Sequence, residues 1–204
     1  MGLEMVGIDV EVNVASRGLP GFDIVGLPDK AVGESRERVK TAIQSSRIEF
    51  PNKKIIVNLA PADIPKEGAS YDLPIAVGII SAEIGCQIPE KSLFFGELSL
   101  DGSLRHTKGT FLLALFAKEN GYENIFVPNA STAEASIIQG INVYPVENLT
   151  KLVRHFSGRE AIVAETRSPQ SAENGSPQAE FDMAEILGQE QAKRAIEIAA
   201  AGGH

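Results

Sequence analysis

Apolar and polar residues alternate over residues 5–15, with Val6, Ile8, Val10, Val12 and Val14 on one side and Asp9, Glu11 and Asn13 on the other. A period of two sends successive side chains to opposite faces of an extended chain, so this stretch reads as a half-buried strand. The turn RGLPG then leads into a shorter strand over 22–25. From Asp29, a candidate N-cap, apolar residues recur every three or four positions through Val32, Val39, Ala42 and Ile43, which predicts a helix to about Ser46. Residues 54–59 (KIIVNL) read as a strand between proline-marked breaks. Residues 73–84 read as a buried helix from the spacing of Ala76, Ile79, Ile80 and Ile84. Residues 93–100 read as a strand, and Asp101-Gly102-Ser103 carries a hairpin signal.

A strand–helix rhythm follows. Residues 110–120 form a predicted helix stopped by Gly121, and 124–127 a strand. Ser131 and Glu134 have the capping-box spacing of a short helix; 141–144 is a last strand and 146–156 a last helix. These elements predict a two-layer α/β (α+β) domain over residues 1–156. Residues 157–180, rich in Ser, Pro, Glu and Ala, are too polar to bury much surface and read as a disordered linker. Helical periodicity returns over 181–204, through Ile186, Ala192, Ala195, Ile196 and Ala199.

Composition narrows the classes. The 204 residues are 43% hydrophobic and 23% charged, which suits a packed core, and the net charge of −8 argues against a surface that grips nucleic acid throughout. Cys86 is the single cysteine and no basic, apolar leader is recognised, so a cytoplasmic location is expected. The most apolar windows, 73–86 and 110–117, are too short for a bilayer. His106, His155 and His204 are scattered, and no structural metal is expected.

Candidate chemistry concentrates in KEGASYDLPIAVGII, residues 66–80. A Gly-Ala-Ser turn opening an apolar helix places Ser70 where the dipole and free amides would either activate a nucleophile or simply be capped. A nucleophile also needs a base within reach. Asp63, Lys66, Glu67 and Asp72 form a charged collar around this turn, read as solvated. Between residues 34 and 54 six basic residues face three acidic ones, a local +3, and Arg36, Arg38, Lys40, Lys53 and Lys54 are the candidate contacts to DNA. The competing reading is a solvated helix face with a Glu34–Arg38 pair. Residues 18–28 (GLPGFDIVGLP) match neither glycine-rich phosphate motif.

Several separated blocks resemble one family. PGFDIVGLPDKAVGESRERVKTAIQSS, FPNKKIIVNLAPADIPKEGASYDLPIAVGII and GELSLDGSLR closely resemble the N-terminal domain of the magnesium-chelatase-like AAA+ ATPases of the ComM/YifB type, across residues 1–156. ILGQEQAKRAIEIAAAGGH resembles the opening of that family's ATPase module ahead of its Walker A loop, with Gly188 and Gln189 on the adenine side. The resemblance implies a Lon proteolytic-domain fold of the ribosomal protein S5 domain 2-like group. It places Ser70 at the Lon nucleophile position and Phe111 where the dyad lysine of Lon proteases stands, and a benzyl group cannot accept a proton. Lys108, three residues earlier, is the alternative base. The implied role is a non-proteolytic accessory domain of a hexameric, ATP- and Mg2+-dependent DNA motor for branch migration, with no cofactor for this domain itself. The alternatives are a Lon-like serine peptidase using Ser70 and, last, a tetrapyrrole chelatase.

Overall fold

The computed structural model describes residues 5–165 and 188–202. The chain divides into two compact units, Met1–Arg167 and Ser168–His204. The first unit begins with β1 (Asp9–Val14), β2 (Gly21–Val25), α1 (Lys30–Ser45) and β3 (Lys54–Ala60). β3 lies in the middle of this sheet, antiparallel to β1 and parallel to β2, so β2, α1 and β3 make a β-α-β crossover. The predicted alternation holds: Val10, Val12 and Val14 pack against the core while Asp9, Glu11 and Asn13 are exposed. The ladder starts only at Asp9, however, and residues 5–8, expected to be strand, lie outside it. Asp29 caps α1 as expected, its Oδ1 accepting from the Val32 amide at 2.7 Å.

Next come α2 (Asp72–Ile84), β4 (Ser92–Phe94), the short pair β5 (Glu97–Leu98) and β6 (Leu104–Arg105), and α3 (Thr110–Glu119). β7 (Asn124–Pro128), α4 (Thr132–Ala135), β8 (Asn142–Val146) and α5 (Leu149–Phe156) complete the series. β4, β7 and β8 form a second, all-parallel sheet. Small sheets of mixed direction with helices between them make this an α+β fold. α2 is apolar nearly all round: Leu73, Ile75, Ala76, Val77, Ile79 and Ile80 are buried, as befits a helix enclosed by other elements. Its Gly78 lets β1 approach so closely that a Cβ there would sit 2.5 Å from Val12 Cγ2.

Three local expectations fail for tertiary reasons. The strand expected over 93–100 splits into β4 and β5, because Gly96 turns aside: its amide donates to the Ser70 carbonyl and its carbonyl accepts from the Leu73 amide. The Ser131–Glu134 capping box does not form. Ser131 Oγ instead accepts from the Thr107 amide and donates to the Thr107 carbonyl, while Glu134 Oε2 accepts from the Thr110 hydroxyl at 2.7 Å. Val146 ends β8, and α5 begins at Leu149 behind an Asn148 cap. The hairpin signal at Asp101 is realised between β5 and β6, with Asp101 Oδ1 accepting from the Ser103 amide and hydroxyl.

Residues 157–165, the start of the stretch expected to be a disordered linker, are tied to the first unit. The Ile162 amide donates to His155 Nδ1 at 3.1 Å, Arg154 pairs with Glu160 at 3.2 Å, and Glu165 forms a bridge to Val143. Apolar Ile162 was the signal for this, since it packs on the core. Residues 166–180 lie outside the described residues. In the second unit the described part is α6 (Glu190–Gly202), preceded by exposed Gly188 and Gln189. No helix among the described residues is long and apolar enough to cross a membrane.

Two predictions follow from this packing. Gly78→Ala gains about 1 kcal/mol of helix propensity but forces a clash with the stiff, β-branched Val12. The net expectation in a urea melt is a loss of about 1–3 kcal/mol, relieved when Val12→Ala is added. His155 sits among the Phe126, Tyr144 and Phe156 rings, and burial pushes its imidazole below the ordinary value of 6.5. The unfolded imidazole takes its proton first, so this stabilisation is complete above about pH 6.5 and is lost as pH falls through the folded value. An NMR titration is expected to give a His155 midpoint below that of a free imidazole. The Ile162 amide is expected to exchange faster as His155 Nδ1 becomes protonated and stops accepting; a midpoint above 6.5 refutes this.

Candidate functional site

The Ser70 turn is built by main-chain bonds from three directions. The Lys66 amide donates to the Leu27 carbonyl and its carbonyl accepts from the Asp29 amide, which lashes the loop to the head of α1. Asp29 Oδ2, on the carboxylate that caps α1, accepts from the Gly68 amide at 3.3 Å. On the far side the Gly96 amide donates to the Ser70 carbonyl at 3.0 Å. Gly68 takes φ +86, a left-handed backbone that a glycine adopts without steric cost.

The charged collar is not uniformly solvated. Asp63 and Glu67 are exposed, but Lys66 and Asp72 are fully buried. The Lys66 ammonium donates to the Pro61 carbonyl, so its side chain clamps the loop that carries it. Asp72 receives a two-pronged bond from Arg38, Nε to Oδ2 at 2.8 Å and Nη2 to Oδ1 at 3.1 Å. The Leu98 amide also donates to Asp72 Oδ2 at 3.2 Å. One carboxylate therefore joins α1, the start of α2 and β5. Its bond to Arg38 raises that guanidinium further above its already high value.

Much of the basic run is engaged within the domain. Arg38 is committed to Asp72, Ser35 Oγ and the Ala31 carbonyl. Lys53 pairs with Glu83 at 3.0 Å, Lys54 pairs with Asp23, and Lys40 lies 6.0 Å from the Phe50 ring centroid. Arg36 is exposed, 3.9 Å from Glu37. The five residues do not converge on one uncompensated basic surface. Local charge counting missed this because the partners Asp72, Glu83 and Asp23 lie about thirty residues away along the chain.

Ser70 is not the N-cap of α2. Tyr71 holds that position, with no side-chain cap bond, and the Ser70 hydroxyl makes no hydrogen bond among the described residues. Ser70 and Tyr71 line a cavity of about 320 Å³ together with residues 5–10, Pro74, Val77 and Gly78 of α2, residues 92–95, and Leu113, Phe116 and Tyr122. No lysine or histidine among the described residues lines it. Burial, followed by the negative charges of Asp29 and Glu67, raises the Tyr71 phenol, which keeps its proton near neutral pH. Phe111 lies half-buried in the first turn of α3. Lys108, in the turn before it, is exposed and bonds to neither Ser70 nor any acid. No cluster of three metal-ligating side chains occurs among the described residues.

The first unit is thus an α+β domain with a serine turn at the head of a buried helix, and no lysine or histidine among the described residues lines the cavity beside that serine. A Lon protease of Mycoplasmopsis agalactiae is 22% identical over 79% of this chain and 18% of its own length. The model for subunit ChlI of Mg-chelatase matches residues 10–131, and the chain belongs to that family. A second model, magnesium chelatase subunit ChlI, matches residues 182–204. The competence protein ComM of Haemophilus influenzae is 38% identical and the YifB protein of Salmonella typhimurium 41% identical, each over the whole chain and 40% of the relative. The chain thus spans about two-fifths of the curated relatives it matches. This kinship supports an accessory role beside an AAA+ module.

Replacing one partner of the buried pair leaves the other charge stranded. Asp72→Ala and Arg38→Ala are each expected to cost about 3–5 kcal/mol. The double variant is expected to cost clearly less than their sum. Urea denaturation of the four proteins checks this; additive losses refute the coupling.

Proposed function

We propose that this chain is the non-proteolytic accessory and assembly domain of an AAA+ ATPase that works as a homo-oligomeric, hexameric motor on DNA in the cytoplasm, in branch migration of the competence type. The observation that carries the first half is the cavity around Ser70, which no lysine or histidine among the described residues lines to take the proton of the hydroxyl. Serine nucleophiles need such a base. The second half rests on kinship: the Haemophilus relative is named a competence protein, and residues 182–204 match the chelatase subunit model.

ATP and Mg2+ belong to the full-length protein in this reading. Gly188 and Gln189 stand exposed at the head of α6, as an adenine-side contact requires. The sequence has no G-x-x-x-x-G-K-[ST] loop, so these residues alone do not fit the triphosphate and no step is assigned to it. For DNA, Arg36 and Lys40 are the exposed members of the five candidate contacts whose charge is least engaged by a carboxylate.

The expected outcome with a serine-reactive fluorophosphonate probe is no labelling at Ser70, and casein hydrolysis no different from that of Ser70→Ala. Labelling at Ser70 that is lost in Lys108→Ala would instead establish a displaced dyad and a peptidase. In the full-length protein, Arg36→Glu with Lys40→Glu is expected to weaken single-stranded DNA binding and flatten its salt dependence. Unchanged binding across salt concentrations removes this surface as the contact.

A further inference from the structure

The cavity beside Ser70 lies between two strand edges that have no partner. The Ala15 amide donates to the Lys54 carbonyl, which fixes the phase of the antiparallel ladder: Asp9, Glu11 and Asn13 bond to β3, and the peptide groups of Val10 and Val12 turn outward. Residues 5–8 make no main-chain hydrogen bond among the described residues. On the other side, the Asn124 amide donates to the Lys91 carbonyl and the Phe95 amide to the Phe126 carbonyl. Alternate residues of β4, Ser92 and Phe94, therefore point their peptide groups away from β7. Ile8, Val10, Ser92 and Phe94 all line the cavity.

Unpaired main-chain groups at a sheet edge are a template for another strand, and here two edges face one gap. The remaining lining is apolar, from Pro74, Val77, Leu113 and Phe116, which suits alternate apolar side chains. The Ser92 hydroxyl oxygen is shielded from solvent and has no hydrogen-bond partner. The charge has one sign: Asp9 is an exposed carboxylate without an ion pair, and no lysine, arginine or histidine among the described residues lines the gap. That charge repels phosphate backbones and favours a cationic occupant.

We propose that the gap between β1 and β4 takes an extended polypeptide segment of a partner protein, apolar residues alternating with lysine or arginine, which bonds to both edges and is held without being cut. This deepens the reading of the Ser70 cavity as non-catalytic. The apolar side chains enter beside Pro74 and Phe116, the basic ones face Asp9, and the captured strand joins the two sheets through itself.

The test uses the 204-residue chain and a fluorescein-labelled decapeptide of alternating valine and lysine, read by anisotropy and by amide exchange. Saturable binding is expected, with new protection at Ile8, Val10, Ser92 and Phe94. A peptide N-methylated at alternate amides loses its donors and is expected to bind about tenfold more weakly or worse. Glutamate in place of lysine is expected to bind more weakly by a similar factor, and Asp9→Lys, an exposed change that leaves the fold intact by circular dichroism, to reverse that preference. The inference is overturned by equal binding of the N-methylated peptide, by protection elsewhere, by the same protection from single-stranded DNA, or by protection that depends on self-association of the chain. Absence of binding overturns it while leaving the non-catalytic reading intact; Ser70-dependent cleavage of the bound peptide overturns both.

Discussion

The carboxylate of Asp72 is the point on which the first unit turns. It is fully buried, and three donors from two other elements satisfy it: two from Arg38 on α1 and one from the Leu98 amide on β5. A buried carboxylate without partners would cost several kcal/mol in solvation alone, so each of these elements is fixed in place by the need to supply a donor. The turn that carries Ser70 sits immediately before this residue and inherits its position from it. Asp29 performs the same service one step upstream, with one oxygen on the cap of α1 and the other on the Gly68 amide.

Those two aspartates explain what the sequence made legible and what it concealed. The alternation of β1, the Asp29 cap, the buried α2 and the turn at Asp101 are local signals, and each appears where its pattern lies. The pairing of Arg38 was not legible because its partner is 34 residues away, beyond any periodicity or charge window. The solvated reading of Lys66 and Asp72 failed for the same reason, since charge is visible in a sequence and burial is not. Gly96 shows the opposite case: a strand pattern is cut because tertiary bonds to Ser70 and Leu73 outbid its continuation. At the cavity, the apolar residues were legible as core, but the open phase of two strand edges emerges only from pairing across the sheets.

Family resemblance carried further than residue chemistry here, and its reach can be stated. It placed the chain in its family, which the match over residues 10–131 bears out, and it pointed to the Ser70 turn and the aromatic at position 111. It left open whether Lys108 substitutes for the missing ammonium. The geometry bears on that directly: the side chain is exposed, pairs with nothing, and is not among the residues around Ser70. A shared fold thus leaves the chemistry to be argued from the site.

The Ser70 turn needs no catalytic partner to hold its shape. Every bond that forms this turn is instead structural: Gly96 to the Ser70 carbonyl, Gly68 to Asp29, Lys66 to the Leu27 and Pro61 carbonyls. Breaking any of them strands a polar group in a poorly solvated place, which costs about 1–3 kcal/mol apiece. Beside the turn, Gly78 lets α2 lie close against β1, and residues of β1 and β4 line the same cavity. The turn that positions Ser70 is therefore held by packing and main-chain bonds, independently of any chemistry at its hydroxyl.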